Sequence, residues 1–227
     1  MIAPLVAARS RDVAFVVMLA GPGVRGDSLL LLQARATLAA SEVPSEFREP
    51  FVRLNERTYT LLRSSADSGA VVDGVRTAAT EYVASVPDAA RAIASALASQ
   101  AVRSAAQMNV PWGRYFVRYD PAPTLGRVSV PVLAVNGTLD TQVPYRENLA
   151  GIEAALRAGG NRDHQVVALP NLNHLFQTAT TGFPGEYGTI EETMSPAALD
   201  LVTRWITERF GGRRSRLSPG QAPGSGG

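Results

Sequence analysis

The 227-residue chain contains no cysteine. Disulfides, thiolate nucleophiles and cysteine-built zinc sites are therefore excluded, and the sequence carries no mark of its redox compartment. Lysine is also absent, so every basic residue is an arginine. There are only two histidines, His164 and His174, and the scattered acids around them lack ligand spacing, so neither a metal nor another cofactor is expected. No apolar run approaches the roughly eighteen residues a membrane span needs. The longest, from Val13 to Gly21, has the length of a buried strand. The start, Met1 to Arg9, is apolar but has no charged leader and no long hydrophobic segment, which makes it a poor export signal. If Met1 is the true start, a cytoplasmic location is expected; otherwise the compartment is open. No internal repeat or heptad run is present.

Charge excludes a further class. The formal net charge is +2, and Arg213, Arg214 and Arg216 lie in the last stretch with no acid beside them. The rest of the chain is therefore close to neutral. Nucleic-acid binding would need basic residues clustered on the folded part, and none cluster there. What remains is an ordinary globular composition, long enough for one large domain or a domain with a cap.

The order of elements gives the fold class. Residues 2–9 read as a short apolar helix. Val13 to Ala20 is a continuous, β-branched run closed by Gly21-Pro22-Gly23, the pattern of a parallel strand covered on both faces. From Asp27 to about Met108 the spacing is helical. Runs at Leu29–Leu38, Phe47–Leu62, Val71–Val83 and Ala89–Ala106 are broken at 41–44, at 65–69 and at Pro87-Asp88. This predicts an all-helical insert of about four helices. Past Trp112 the alternation returns: a strand at Val130–Gly137, a helix at Tyr145–Ala158, a strand at Gln165–Leu169, and a helix at Ser195–Phe210 with Ser195 as cap and Pro196 at its first position. Strand and helix in alternation imply parallel pairing through right-handed crossovers. The expectation is an α/β fold of about three parallel strands with flanking helices and a helical cap. In it, 1–26 and 113–210 form the core and 27–112 the cap. From Gly211 onward, Gly, Pro, Ser and Arg predict a disordered tail.

Two loops carry candidate chemistry. Asn136-Gly137-Thr138-Leu139-Asp140-Thr141-Gln142-Val143-Pro144 follows one strand, and Leu169-Pro170-Asn171-Leu172-Asn173-His174-Leu175-Phe176-Gln177 follows the next. An acid and a histidine after adjacent parallel strands meet at the sheet edge where α/β proteins place their ligands. There a buried carboxylate fixes the imidazole tautomer while the other ring nitrogen handles a proton. Against this stands a plainer role for each residue: Asp140 as a turn or capping aspartate ahead of the helix at Pro144, His174 as a satisfied loop histidine. His164 is expected to be exposed at a strand start, with no role. Trp112, Tyr115, Phe116 and Tyr119 fit either the lining of a cleft beneath the cap or, more commonly at such spacing, core.

At these loops the sequence resembles the α/β-hydrolase family, specifically bacterial serine hydrolases of the esterase and acyl-peptidase-like kind. The resemblance extends to about Phe210. It also rests on Ile2-Ala3-Pro4-Leu5-Val6-Ala7-Ala8-Arg9, Leu19-Ala20-Gly21-Pro22-Gly23, Tyr119-Asp120-Pro121-Ala122-Pro123 and Glu186-Tyr187-Gly188. It implies Asp140 as triad acid, His174 as triad base, and a carboxylic ester or small acyl or peptidyl compound as substrate. The family's chain order is serine, acid, histidine, with the serine on a G-x-S-x-G elbow just before the helix that opens this chain. No G-x-S-x-G occurs in the 227 residues. The resemblance therefore implies that the elbow, its strand and an oxyanion-donating loop lie upstream of Met1, and that the chain by itself is inactive. Ser28 is the only tempting substitute, and its simpler reading is an N-cap for a helix beginning Leu29-Leu30. Serines such as Ser99 and Ser104 fall inside helical runs. With so few strands, Val13–Ala20 is expected to present an open apolar edge, giving either poor solubility or reliance on a partner that supplies the missing strands. The competing reading is a non-catalytic hydrolase relative that binds a partner through its helical insert.

Overall fold

The computed structural model describes residues 1–39, 41, 43–64 and 67–211. The expected tail past Gly211, and Glu42, Ser65 and Ala66 in two of the expected helix breaks, lie outside those residues. The architecture is mixed α/β, with one small parallel sheet among helices. Three strands, β1 (Val16–Leu19), β2 (Val132–Gly137) and β3 (His164–Leu169), lie in the order β1-β2-β3. Val16 pairs with Val132, and Val132 in turn with His164.

The central strand explains the sheet. All six residues of β2 are buried, because both of its faces are covered. Val132 and Ala134 point to one side, where Val16 and Met18 of β1 join Leu149, Ile152 and Leu156 of α8 (Tyr145–Ala158). Ala7 of α1 (Ile2–Ala7) and Leu125 of α7 (Ala122–Leu125) complete that layer. Leu133 and Val135 point the other way, onto Leu172, Phe176, and Ala198 and Trp205 of α9 (Pro196–Phe210). The period of two in a continuous apolar run thus feeds two separate layers.

Among the described residues between β1 and α7 run α2 (Gly26–Ala39), α3 (Ser45–Ser64), α4 (Ser68–Ala84), α5 (Arg91–Met108) and α6 (Pro111–Arg118), with a short 3-10 turn at Asp88–Ala90. They pack on one another around two apolar clusters. One centres on Phe51, Val52, Leu54 and Tyr82, the other on Leu62, Val71, Val75 and Val117. Asp67 caps α4, its carboxylate accepting the N–H groups of Gly69 and Ala70. α6 and α7 were not anticipated; both are short, and each has a proline in its first turn.

Several details depart from expectation. β1 begins at Val16, the first residue with a partner, its N–H donating to the Pro131 carbonyl at 2.9 Å. Beyond Leu19 the chain leaves the strand at Ala20, which adopts φ +48. α2 starts at Gly26, so Ser28 lies inside the helix and does not cap it. Gly26 approaches α6 so closely that a Cβ would meet the Phe116 carbonyl oxygen at 1.9 Å, which is why the helix opens on glycine. The Ser28 hydroxyl instead reaches the Asp27 carboxylate at 3.3 Å. His164 is half-buried and not exposed, its Nδ1 2.9 Å from the Asn161 carbonyl. On α6, Trp112 is 66% exposed and Tyr115 51%, so these two are not core. Trp112 stacks on Phe116 with 5.5 Å between ring centres.

Candidate active site

The loops after β2 and β3 meet. Gly137 ends β2 at a point where a Cβ would lie 2.1 Å from the Leu172 carbonyl oxygen, so only glycine allows the following loop to cross here. Thr138 and Leu139 donate their N–H groups to the carbonyls of Leu169 and Leu172, and the Thr138 hydroxyl accepts the Asn171 N–H at 2.9 Å, tying the two loops together.

On this frame Asp140 and His174 touch. Nδ1 of His174 lies 2.9 Å from Oδ2 of Asp140. The Asp140 side chain is fully buried, while that of His174 is 28% exposed. The other carboxylate oxygen, Oδ1, accepts the N–H groups of Gln142 at 2.9 Å and Val143 at 2.8 Å. Both readings of Asp140 from sequence are therefore present at once: one oxygen closes a turn and the other holds the imidazole. The turn fixes the carboxylate before it meets the ring. Nε2 of His174 has no hydrogen-bond partner among the described residues, so that nitrogen is free to take or give a proton.

The histidine is presented by a tight turn built around Asn173, which is fully buried. Its Oδ1 accepts from Leu175 and Gln177, and its Nδ2 and N–H both donate to Gln177. Phe176 sits at φ +61, a conformation costly for a bulky side chain, of order 1–2 kcal/mol. Burial of its ring beside Trp205 and the hydrogen bond from Ser195 N–H to its carbonyl, 2.8 Å, hold it there.

A third loop closes on the pair. Glu186 accepts the N–H groups of Thr180, Thr181 and Gly182. Partial burial pushes its carboxyl up, but those donors outweigh it and hold the group below the usual carboxylate range. The adjacent Tyr187 hydroxyl accepts from Gln142 Nε2 at 3.0 Å, so Gln142 braces Asp140 through its backbone and Tyr187 through its side chain. Burial raises the Tyr187 phenol above its ordinary range; the Gln142 donor opposes this and the nearby Asp140 charge adds to it. Gln142, Asn173, Gln177 and Tyr187 all stand in motifs quoted above, yet none was assigned a role. The one legible signal was an asparagine four residues from a glutamine inside a turn-rich loop.

Ser28 is not joined to this site: its hydroxyl is engaged by Asp27, and no serine hydroxyl hydrogen-bonds His174 among the described residues. A crevice of about 310 Å³ runs along the Asp140 loop, lined by Thr138, Thr141, Pro144 and Thr181 and by Ala36 of α2. Among the described residues no group of three or more His, Asp or Glu could hold a metal ion, and no helix is long and apolar enough to cross a membrane. Comparison with protein-family profiles, with curated proteins and with solved structures returns no match.

Proposed function

We propose that this chain is the acid- and histidine-bearing part of a serine hydrolase of α/β-hydrolase type, acting on carboxylic esters or small acyl or peptidyl compounds. The single observation that carries the reading is the 2.9 Å contact of a part-exposed imidazole with a carboxylate that is fully buried and pinned by two backbone N–H groups. Few purely structural histidines need a carboxylate so constrained while their second nitrogen stays unengaged. In the reaction, Nε2 of His174 takes the proton of a serine hydroxyl as its oxygen attacks the acyl carbon. The imidazolium, stabilised by Asp140, then gives that proton to the departing alcohol or amine. Water repeats the sequence to release the acid.

The serine comes from polypeptide other than these 227 residues, which hold no G-x-S-x-G. The sheet fits this: β1 is an edge strand whose last residue, Leu19, is 42% exposed, leaving a row of main-chain groups for a further strand. The test is direct. The chain alone is expected to leave a fluorophosphonate probe unreacted and to hydrolyse p-nitrophenyl butyrate no faster than its His174→Ala variant. Joined to a segment that carries a G-x-S-x-G elbow and its strand, it is expected to turn the ester over, with loss in both His174→Ala and Asp140→Ala. Labelling of any serine within the 227 residues, or joined-chain turnover indifferent to His174, would refute the reading.

A further inference from the structure

Within the helical segment, α2, α3, α5 and the turn at Ser41 and Val43 line a half-open cavity of about 380 Å³. That size lies inside the range of roughly 300–1,000 Å³ typical of small-molecule sites. It sits between the two apolar clusters described above, with Leu38 and Phe51 from one and Leu30 and Tyr59 from the other. Among the described residues its lining contains no charged side chain. Polar groups are nonetheless present, and two of them stand on successive turns of α3.

Asn55 is 6% exposed, and its Nδ2 donates to the Phe51 carbonyl one turn back at 3.0 Å. Its Oδ1 has no partner among the described residues. One turn further along α3, Tyr59 brings its ring to the same cavity, and its hydroxyl is likewise unpartnered among the described residues. Residues four apart on a helix share a face. The cavity wall therefore offers a fixed acceptor and, beside it, a hydroxyl able to donate. Burial pushes the Tyr59 phenol up to about 12, so it stays a neutral donor at any physiological pH.

We infer that this cavity is a binding site for an uncharged amide carried on an apolar body, its N–H donating to Asn55 Oδ1 and its carbonyl accepting from the Tyr59 hydroxyl. A carboxylate or an ammonium of the same size would lose its hydration with no counter-charge among the described wall residues, which penalises both. The apolar part of the ligand lies against Leu30, Leu38, Phe51 and Leu97. This site shares no residue with the crevice beside Asp140; α2 stands between them, with Ala34 on the cavity and Ala36 on the crevice. The inference stands independently of the hydrolase reading.

The test is titration of the full chain with hexanamide, hexanoate and hexylamine, followed by ¹H–¹⁵N NMR. Hexanamide is expected to give saturable shifts on α2, α3 and α5, with hexanoate and hexylammonium at least about tenfold weaker. Tyr59→Phe keeps the shape and removes the donor, and is expected to weaken hexanamide by about 2- to 10-fold, the worth of one hydrogen bond. Filling the space is expected to abolish binding, in Ala101→Phe or, should that variant not fold, in Ala34→Met. His174→Ala and Asp140→Asn are expected to leave the affinity unchanged. Equal binding of hexanoate, no saturable binding of hexanamide, an affinity indifferent to Tyr59→Phe and to filling, or dependence on His174 would each overturn the assignment. None of those outcomes bears on ester turnover.

Discussion

Asn173 and Gln177 exchange three hydrogen bonds across the turn that presents His174: main chain to main chain, side chain to side chain, and Gln177 N–H to Asn173 Oδ1. One buried amide thus ties both ends of the turn, beside the Phe176 N–H to Asn173 carbonyl bond and the bridge between Leu172 and Thr178. Asn173→Ala strands the N–H groups of Leu175 and Gln177 and the Gln177 Oε1, while Gln177 Nε2 keeps the Glu192 carbonyl. A loss of about 2 kcal/mol in folding stability follows from the usual cost of stranding a buried polar group. Urea denaturation measures it, and the imidazole ¹⁵N signals of His174 should broaden as the ring loses its fixed place. A stability change below about 0.5 kcal/mol, with sharp ring signals, would show that the turn does not depend on Asn173.

Asp140 divides its work between two oxygens, so its amide variant separates them. In Asp140→Asn the side-chain oxygen still accepts from Gln142 and Val143, and the turn survives. The new NH₂ then faces His174 Nδ1, which must accept, moving the ring proton to Nε2. The wild type is expected to show the Nδ1–H tautomer in ¹⁵N spectra and the variant the Nε2–H tautomer, with folding stability within about 1.5 kcal/mol. In a protein completed by its nucleophile, turnover should fall by about 10⁴, the effect of the wrong tautomer in serine proteases. An unchanged tautomer would mean that the 2.9 Å contact does not orient the ring.

These two cases show what the sequence could and could not carry. Val130 to Gly137 reads as a strand ending in a turn, and the loops after β2 and β3 fall at the right edge to be candidates; the coverage on both faces expected of Val13–Ala20 belongs instead to β2. Three parallel strands and most of the long helices followed from local pattern. The failures arise where a distant contact decides. Gly26 opens α2 because Phe116 lies against it, and nothing near residue 26 in the chain signals residue 116. Ser28 looked like a cap because its neighbours fit one, yet Asp27 already occupies the start of the helix. For the exposed Trp112 and Tyr115 the spacing leaves cleft lining and core both open, because it records which residues share a face and not what covers that face. The brace from Gln142 to Tyr187 spans 45 residues and has no local trace.

Acid should find one weak point outside the candidate site. Asp27 is 7% exposed; burial pushes its carboxyl up, but Arg25 clasps both oxygens at 2.6 and 2.8 Å, Ser28 N–H adds a third donor, and the group is held below its ordinary range. A carboxyl depressed in the folded state contributes stability that is whole above its unfolded value, about 3.9, and is lost as pH falls through the folded value. Asp27→Asn is therefore expected to melt below the wild type at pH 7, with the gap closing below about pH 4. Glu49 and Glu186 are also held low, so some acid sensitivity persists in the variant. Thermal melts at pH 7, 4 and 3 decide; a gap constant across that range would deny Asp27 its part.

Alkali should act through the opposite kind of group. Tyr59 is pushed up to about 12 by burial, against about 10 in an unfolded chain. Between those values the folded protein keeps a proton that the unfolded chain releases. Stability is therefore whole below about pH 10 and falls as pH rises toward 12. Tyr59→Phe removes the titrating hydroxyl while keeping the ring against Leu62 and Val117 in its cluster. The hydroxyl has no partner among the described residues, so its loss at pH 8 is expected to change the urea midpoint little. At pH 11 the variant should lose less than the wild type does. Tyr82, also raised by burial, leaves a residual slope in both proteins. Parallel declines from pH 8 to 11 would mean that the phenol ionises as readily in the folded chain as in water, and that the wall of the cavity is wetter than its burial implies.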